Sequence, residues 1–253
     1  MSLEKIYGVH AVEALLRHHP KRVKQVWLAE GRSDPRVQTL IELANENRVA
    51  VGQAERREMD VWVEGVHQGV VADVSPSQVW GEAMLDELLD RTEGAPLLLV
   101  LDGVTDPQNL GAVIRSAAAF GANGVILPER RSASVTAAAW KVSAGAAAHM
   151  PVARVVNLTK AIESMRERGY YTVGLDGGGD KLVGETGFET DPLIVVLGSE
   201  GKGLSRLVRE SCDAIAGIPI TSMVESLNAS VAAGISLYAV ARARREAAAA
   251  ATK

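Results

Sequence analysis

Asn109, Arg115, Glu200, Ser226 and Asn228 lie where chemistry could be done, within three short segments: Asp102 to Arg115, Val196 to Leu204, and Ile218 to Ser230. In the first segment an apolar run ends at Asp102 and the chain turns through Gly103. Asp106 followed by Pro107 then predicts a helix start, with the acid as N-cap and the proline where its missing N–H is harmless. Asn109 falls in the first turn, at the carboxyl edge of a sheet, where open α/β sheets bind ligands. Arg115 is six residues further on. From this segment alone, its guanidinium among small and aliphatic neighbours reads equally as a snorkelling surface group or a functional one.

The second segment places Gly198, Gly201 and Gly203 after an apolar run, so a ligand could approach the backbone. It lacks the Gly-Lys-Ser/Thr of a triphosphate loop, and Glu200 would repel a polyphosphate. A cationic ligand or one rich in hydroxyl donors suits it better, and a tight turn carrying a solvated glutamate also accounts for it. The third segment follows a strand ending in Ile218-Pro219-Ile220 and opens a helix with two good N-capping residues, Ser226 and Asn228. A cap needs only one of them. Ala229, Ala232, Ala233 and Gly234 allow close packing against this helix, and Arg242, Arg244 and Arg245 favourably end its dipole.

These segments need a sheet to hold them. Leu97 to Leu101, Val125 to Leu127, Leu193 to Leu197 and Ala214 to Ile218 are short apolar runs separated by helical stretches, which predicts an α/β domain with a mostly parallel sheet over residues 96–253. Residues 1–76 read as a small α/β domain: a helix from Tyr7 to Leu16, strands at Val23 to Leu28, Val49 to Val51 and Gly69 to Val74, and a helix from Arg36 to Asn45. Between them, residues 77–95 are acidic, follow Pro76, precede Pro96 and read as a linker with one helical stretch from Leu85 to Leu89. The glycines from Gly174 to Gly179 start no apolar helix and read as a flexible loop. The alanines from Ala247 read as the fraying end of the last helix.

The formal charge of −4 over 253 residues argues against a nucleic-acid partner until it is located. Residues 77–95 hold one basic and five acidic side chains, and the flanking regions are near neutral. They can therefore carry local basic patches, such as Arg17, Lys21, Arg22 and Lys24 around His18 and His19. Without an apolar run of membrane-spanning length or a signal-like N-terminus, and with Cys212 the single cysteine, the expectation is a cytoplasmic protein with no membrane partner and no metal.

Taken together, DGVTDPQNLGAVIRSA, LGSEGKGLSRL and IPITSMVESLNASVAAGISLYA resemble the three motifs of the SpoU (TrmH-type) branch of the SPOUT methyltransferases. IYGVHAVEALL and VHQGVVADV resemble the substrate-binding domain of its ribosomal-RNA members. The resemblance spans Ile6 to about Arg245, and the joint spacing is more specific than any one motif. It implies a SPOUT catalytic domain with a C-terminal trefoil knot, preceded by an L7Ae/L30e-like RNA-binding domain. It also implies a homodimer that uses S-adenosyl-L-methionine to methylate the ribose 2′-hydroxyl of a guanosine in 23S rRNA. Leu197, Gly198, Gly201, Ile218 and Leu227 would hold the cofactor. Arg115 would meet the target ribose or its phosphate, either assisting deprotonation or stabilising charge, while Asn109, Glu200, Ser226 and Asn228 shape the site and Glu200 is an alternative proton acceptor. A tRNA ribose methyltransferase, a resistance-type rRNA adenosine methyltransferase and a non-catalytic assembly factor are the competing readings.

Overall fold

The computed structural model describes residues 3–63, 65–75, 81–90, 92–221 and 223–251. Its chain divides into two units, Met1–Gln78 with Val135–His149, and Val79–Ser134 with Met150–Lys253.

The first unit opens with β1 (Glu4–Tyr7), where the sequence reading has a helix beginning at Tyr7. Gly8, at φ +94°, turns the chain so that α1 (Val9–His18) starts two residues later than expected. Val12, Leu15 and Leu16 line the buried side of α1, the stripe expected of an amphipathic helix. Then come β2 (Val23–Ala29), α2 (Pro35–Glu46), β3 (Ala50–Ala54), α3 (Arg56–Trp62) and β4 (Val70–Val74). Asp34 caps α2 by accepting the N–H groups of Arg36 and Val37. The sheet order is β1-β4-β2-β3, with β2 and β3 parallel and the other pairs antiparallel.

Residues 135–149 differ from the expected domain boundary, since they belong with the first unit. Trp140 is fully buried in the same apolar cluster as Ile6, Leu15, Leu16 and Val26, and Ala148 joins it. The imidazole of His19 meets the Ala148 carbonyl, and a side chain at Gly145 would press to 2.7 Å from Ala14 Cβ. A large indole gains most where helix and sheet already enclose it, and that place is here.

In the second unit, α4 (Glu82–Asp90) occupies much of the expected linker; residues 77–80 and 91 lie outside the described residues. Leu85 and Leu89 are buried in this unit's core, and Arg168 pairs with Asp86 at 2.5 Å and also with Asp90. The acidic helix therefore packs against the unit instead of acting as a free tether. The chain continues through β5 (Leu97–Asp102), α5 (Pro107–Ala119), β6 (Gly124–Pro128), α6 (Ala137–Val142, within the first unit), β7 (Val152–Val155), α7 (Leu158–Glu167), β8 (Tyr171–Leu175), β9 (Lys181–Leu182), β10 (Leu193–Gly198), α8 (Arg206–Glu210), β11 (Ala214–Gly217) and α9 (Ala229–Ala251). Every pairing in the sheet, ordered β7-β6-β5-β10-β8-β11-β9, is parallel.

All of β10 is buried, as the apolar run predicts for a strand covered on both faces. The sequence reading omits β7, interrupted by Arg154, β8, which contains Gly174, and the two-residue β9. Gly174 is no loop residue: a side chain there would meet Leu204, Cys212 and Ile215 within 3.0 Å. Arg244 does not end a helix dipole either, because α9 runs on to Ala251. Its guanidinium donates to the carbonyls of Glu189, Ala95, Pro96 and Asp191, fastening α9 to the loops that precede β5 and β10.

Candidate active site

The pairing of β5 with β10 sets Asp102 beside Gly198 at the carboxyl edge of the sheet, so the first two polar segments leave it together. Gly198 admits no side chain, since a Cβ there would fall 2.1 Å from the carbonyl carbon of Gly203. That approach lets Ser199 and Gly203 exchange backbone hydrogen bonds of 3.0 and 2.9 Å, leaving Glu200 on the short loop between them. Asp102 Oδ2 accepts the Ser205 N–H at 2.7 Å, tying the first segment to the end of the second. Asp106 caps α5 through the Gln108 N–H at 2.9 Å, as its pairing with Pro107 predicts.

One carboxylate oxygen joins all three segments. Glu200 Oε1 accepts from Asn109 Nδ2 at 2.9 Å, from Asn228 Nδ2 at 3.0 Å and from the Ala229 N–H at 3.4 Å. Asn228 Nδ2 also donates to Asn109 Oδ1 at 3.0 Å. The other end of Asn228 caps α9: Oδ1 accepts from Ser230 N at 2.9 Å and Val231 N at 3.4 Å. Asn228 thus performs the capping for which two candidates existed, and Ser226 is left to face a cleft.

Two neighbouring clefts share this edge. The first, about 420 Å³, is lined by Leu197, Gly198, Gly201, Ser226, Ile218 and Leu227, the second, about 600 Å³, by Asn109 and Asp102 among others, and Glu200 borders both. The sequence reading misses Asp176 and Glu225 in the first cleft, Arg131 in the second, and Lys202, which borders both. Asp176 sits among the glycines read as a flexible loop. It is held instead by Arg209 at 2.6 Å and by the Gly178 N–H at 2.9 Å. A short polar residue between a strand end and close-packed glycines was the available signal.

Arg115 is exposed and lines neither cleft. Six helical steps from Asn109 turn it through about 240° and carry it about 9 Å along α5. The structure therefore brings Asn109, Glu200, Asn228 and Ser226 to one edge and leaves Arg115 facing elsewhere. Cys212 plays no nucleophilic part, because burial first and then Asp213 push its thiol up to about 12, and such a thiol is inert.

The first cleft fits a cofactor such as S-adenosyl-L-methionine. Its volume is within the usual range for small-molecule sites. Its glycine wall brings backbone within reach of a flat ring, its aliphatic residues offer apolar cover, and Asp176 and Glu225 can accept from hydroxyl or ammonium donors. Among the described residues no cluster of three or more His, Cys, Asp or Glu is placed to hold a metal ion, and no helix is long and apolar enough to cross a membrane.

Comparison with known proteins adds identity to this geometry. Residues 96–238 match the SpoU rRNA Methylase family, and residues 5–80 match the RNA 2'-O ribose methyltransferase substrate binding family. The chain is 62% identical over 242 residues to the 23S rRNA (guanosine-2'-O-)-methyltransferase RlmB of Pseudomonas syringae pv. tomato, covering 96% of each chain. With the protein of the same name from Shewanella oneidensis it shares 44% identity, over 95% of this chain and 97% of that one. Among solved structures, the SpoU methyltransferase AviRb from Streptomyces viridochromogenes in complex with AdoMet superposes with a TM-score of 0.77 at 26% identity, covering 96% of this chain and 91% of that one. The match of motifs, fold and full-length relatives places this chain in the SpoU rRNA methylase family.

Proposed function

We propose that the protein transfers a methyl group from S-adenosyl-L-methionine to the ribose 2′-hydroxyl of a guanosine in 23S rRNA. The observation that carries this reading is the Asn109–Glu200–Asn228 cluster standing where the two clefts meet. The named function of the full-length relatives supports the substrate. The cofactor, when bound in the first cleft, supplies an electrophilic methyl group.

The chain's own task is to present the ribose hydroxyl and receive its proton. With three donors fixed on Glu200 Oε1, the carboxylate cannot rotate freely, and Oε2 stays free to accept a hydrogen bond from the hydroxyl. Pre-set geometry of this sort contributes roughly 7–11 kcal/mol where two reactants must meet in register. A guanidinium stays protonated at any working pH, so Arg115 acts by electrostatic positioning of a phosphate or a developing alkoxide, and Glu200 takes the proton.

The single-chain position of Arg115 goes with a homodimer, in which a neighbouring copy's cleft receives it. Val231, Ile235 and Tyr238 are exposed on α9, and their spacing makes one apolar stripe along the helix. Phe120, the C-cap of α5, meets the Tyr238 ring at a centroid distance of 5.8 Å. The trefoil knot, the L7Ae/L30e-like character of the first unit and a cytoplasmic location complete the proposal.

The test is incubation of the purified chain with S-adenosyl-L-methionine and unmodified 23S rRNA, followed by nucleotide-resolution mapping of 2′-O-methylation. One methylated guanosine supports the reading. Methylation of an adenosine, methylation of tRNA alone, or tight rRNA binding without methyl transfer would each replace it with one of the competing functions.

A further inference from the structure

The second cleft mixes charges of both signs, and their partners differ. Its carboxylates are engaged within the chain: Asp102 by the Ser205 N–H, Asp106 by the Gln108 N–H, and Glu200 by Asn109 and Asn228. The cations lining the same cleft, Arg131 and Lys202, are exposed and make no ion pair or hydrogen bond among the described residues. Oriented carboxylates keep lone pairs for hydroxyl donors, and unpaired cations are suited to an anion. A sugar-phosphate unit presents both.

Arg131 is also held in place. Its φ of +58° is a left-handed backbone that a non-glycine residue adopts only when its surroundings impose it. Arg154, on β7, imposes it by spending its guanidinium on the loop that carries Arg131. It donates to the carbonyls of Glu129 at 3.2 Å and Ala133 at 2.6 Å, and to the hydroxyls of Ser132 at 3.3 Å and Ser134 at 3.4 Å. The Ala133 N–H fixes the far end of the loop to the Val104 carbonyl at 2.8 Å, beside the cleft. A backbone held like this loses less freedom when the side chain it carries meets a ligand.

We propose that Arg131 and Lys202 form a backbone-phosphate subsite of the second cleft, holding the RNA phosphate next to the ribose that Glu200 faces, with Arg154 as the residue that positions Arg131. The inference rests on the reading of the protein as an RNA methyltransferase. A phosphate contact has a signature that general damage lacks, because each contact removed reduces the slope of log affinity against log salt by about 0.7 to 0.9.

The experiment uses the full chain and 23S rRNA, with RNA affinity measured across a salt series and cofactor affinity measured separately. Arg131→Gln and Lys202→Gln are each expected to weaken RNA binding about tenfold and to flatten the salt slope by close to one contact, with cofactor affinity unchanged in Arg131→Gln, since Arg131 lines the second cleft but not the first. Arg131→Lys should restore most of the slope, and Arg154→Gln should weaken RNA binding while keeping the slope, since the charge of Arg131 remains. A wild-type slope in both glutamine variants overturns the subsite. Failure of the wild-type chain to methylate rRNA overturns the parent reading instead, and the two failures are separately visible.

Discussion

Asn228 stands between Glu200 and the start of α9, giving its amide N–H to the carboxylate at 3.0 Å while its carbonyl oxygen accepts the Ser230 N–H at 2.9 Å. One side chain therefore caps a helix and aims a carboxylate, and these two roles can be separated. Asn228→Asp keeps an oxygen for the cap, and its charge is favourable at a helix N-terminus. It removes the donor to Glu200 and faces one carboxylate with another, so Glu200 turns away. Methyl transfer should fall about 100-fold, a loss of ~2.7 kcal/mol at the transition state, with thermal stability close to wild type. If the variant turns over normally, the aim of Glu200 is irrelevant to catalysis.

Gly198 gives a second prediction, directed at the cofactor. Since a Cβ there would fall 2.1 Å from backbone of Gly203, Gly198→Ala must push apart the loop that closes over the first cleft. Affinity for S-adenosyl-L-methionine, read by calorimetry, should fall by about a hundredfold, ~2.8 kcal/mol. Retained affinity would place the cofactor elsewhere.

A third prediction follows from the indole of Trp140, which lies in the core of the first unit although α6 comes between β6 and β7 in sequence. Trp140→Ala should destabilise that unit by about 3–5 kcal/mol. A fragment of residues 1–76 lacks this indole altogether and should be expanded or unstable by circular dichroism and heat. Native-like melting of that fragment would show that Trp140 packs there without supporting the fold.

What could be read from the sequence, and what could not, follows from how local each signal was. The Asp106-Pro107 start of α5 and the buried run of β10 are each set by neighbours in sequence, and the structure shows both; Gly198 was read as room for a ligand, and what comes close to it is the backbone of Gly203. Trp140 and Arg154 left no such trace, because the β-strands and helices that enclose Trp140 are far away in sequence and the partners of Arg154 are spread over a loop. Arg131 was invisible for a further reason: only a left-handed backbone and a clamped loop distinguish it from the adjacent Arg130. The Gly174 to Gly179 cluster misled in part, because glycine signals freedom and close packing alike: Gly177 and Gly178 do form a turn, while Gly174 lies in β8 and Gly179 packs against β11, with the Ile215 carbonyl 2.7 Å from where its Cβ would be.

The last prediction concerns acid stability of the first unit. His149 meets the His18 ring edge-on at a centroid distance of 3.7 Å. Partial burial first, and then His18 and His19, hold its pKa below the ordinary histidine value of 6.5. The unfolded chain releases those constraints, so between the folded value and 6.5 it takes up a proton that the folded chain resists. Any stability tied to neutral His149 is therefore complete above about pH 6.5 and declines as the pH falls through that window. The contribution is modest, since the imidazole is largely exposed and water screens it. Urea midpoints of the wild-type chain should drop between pH 7.5 and pH 5.5, and those of His149→Gln should drop less. Parallel acid branches in the two proteins would assign the pH dependence to other groups.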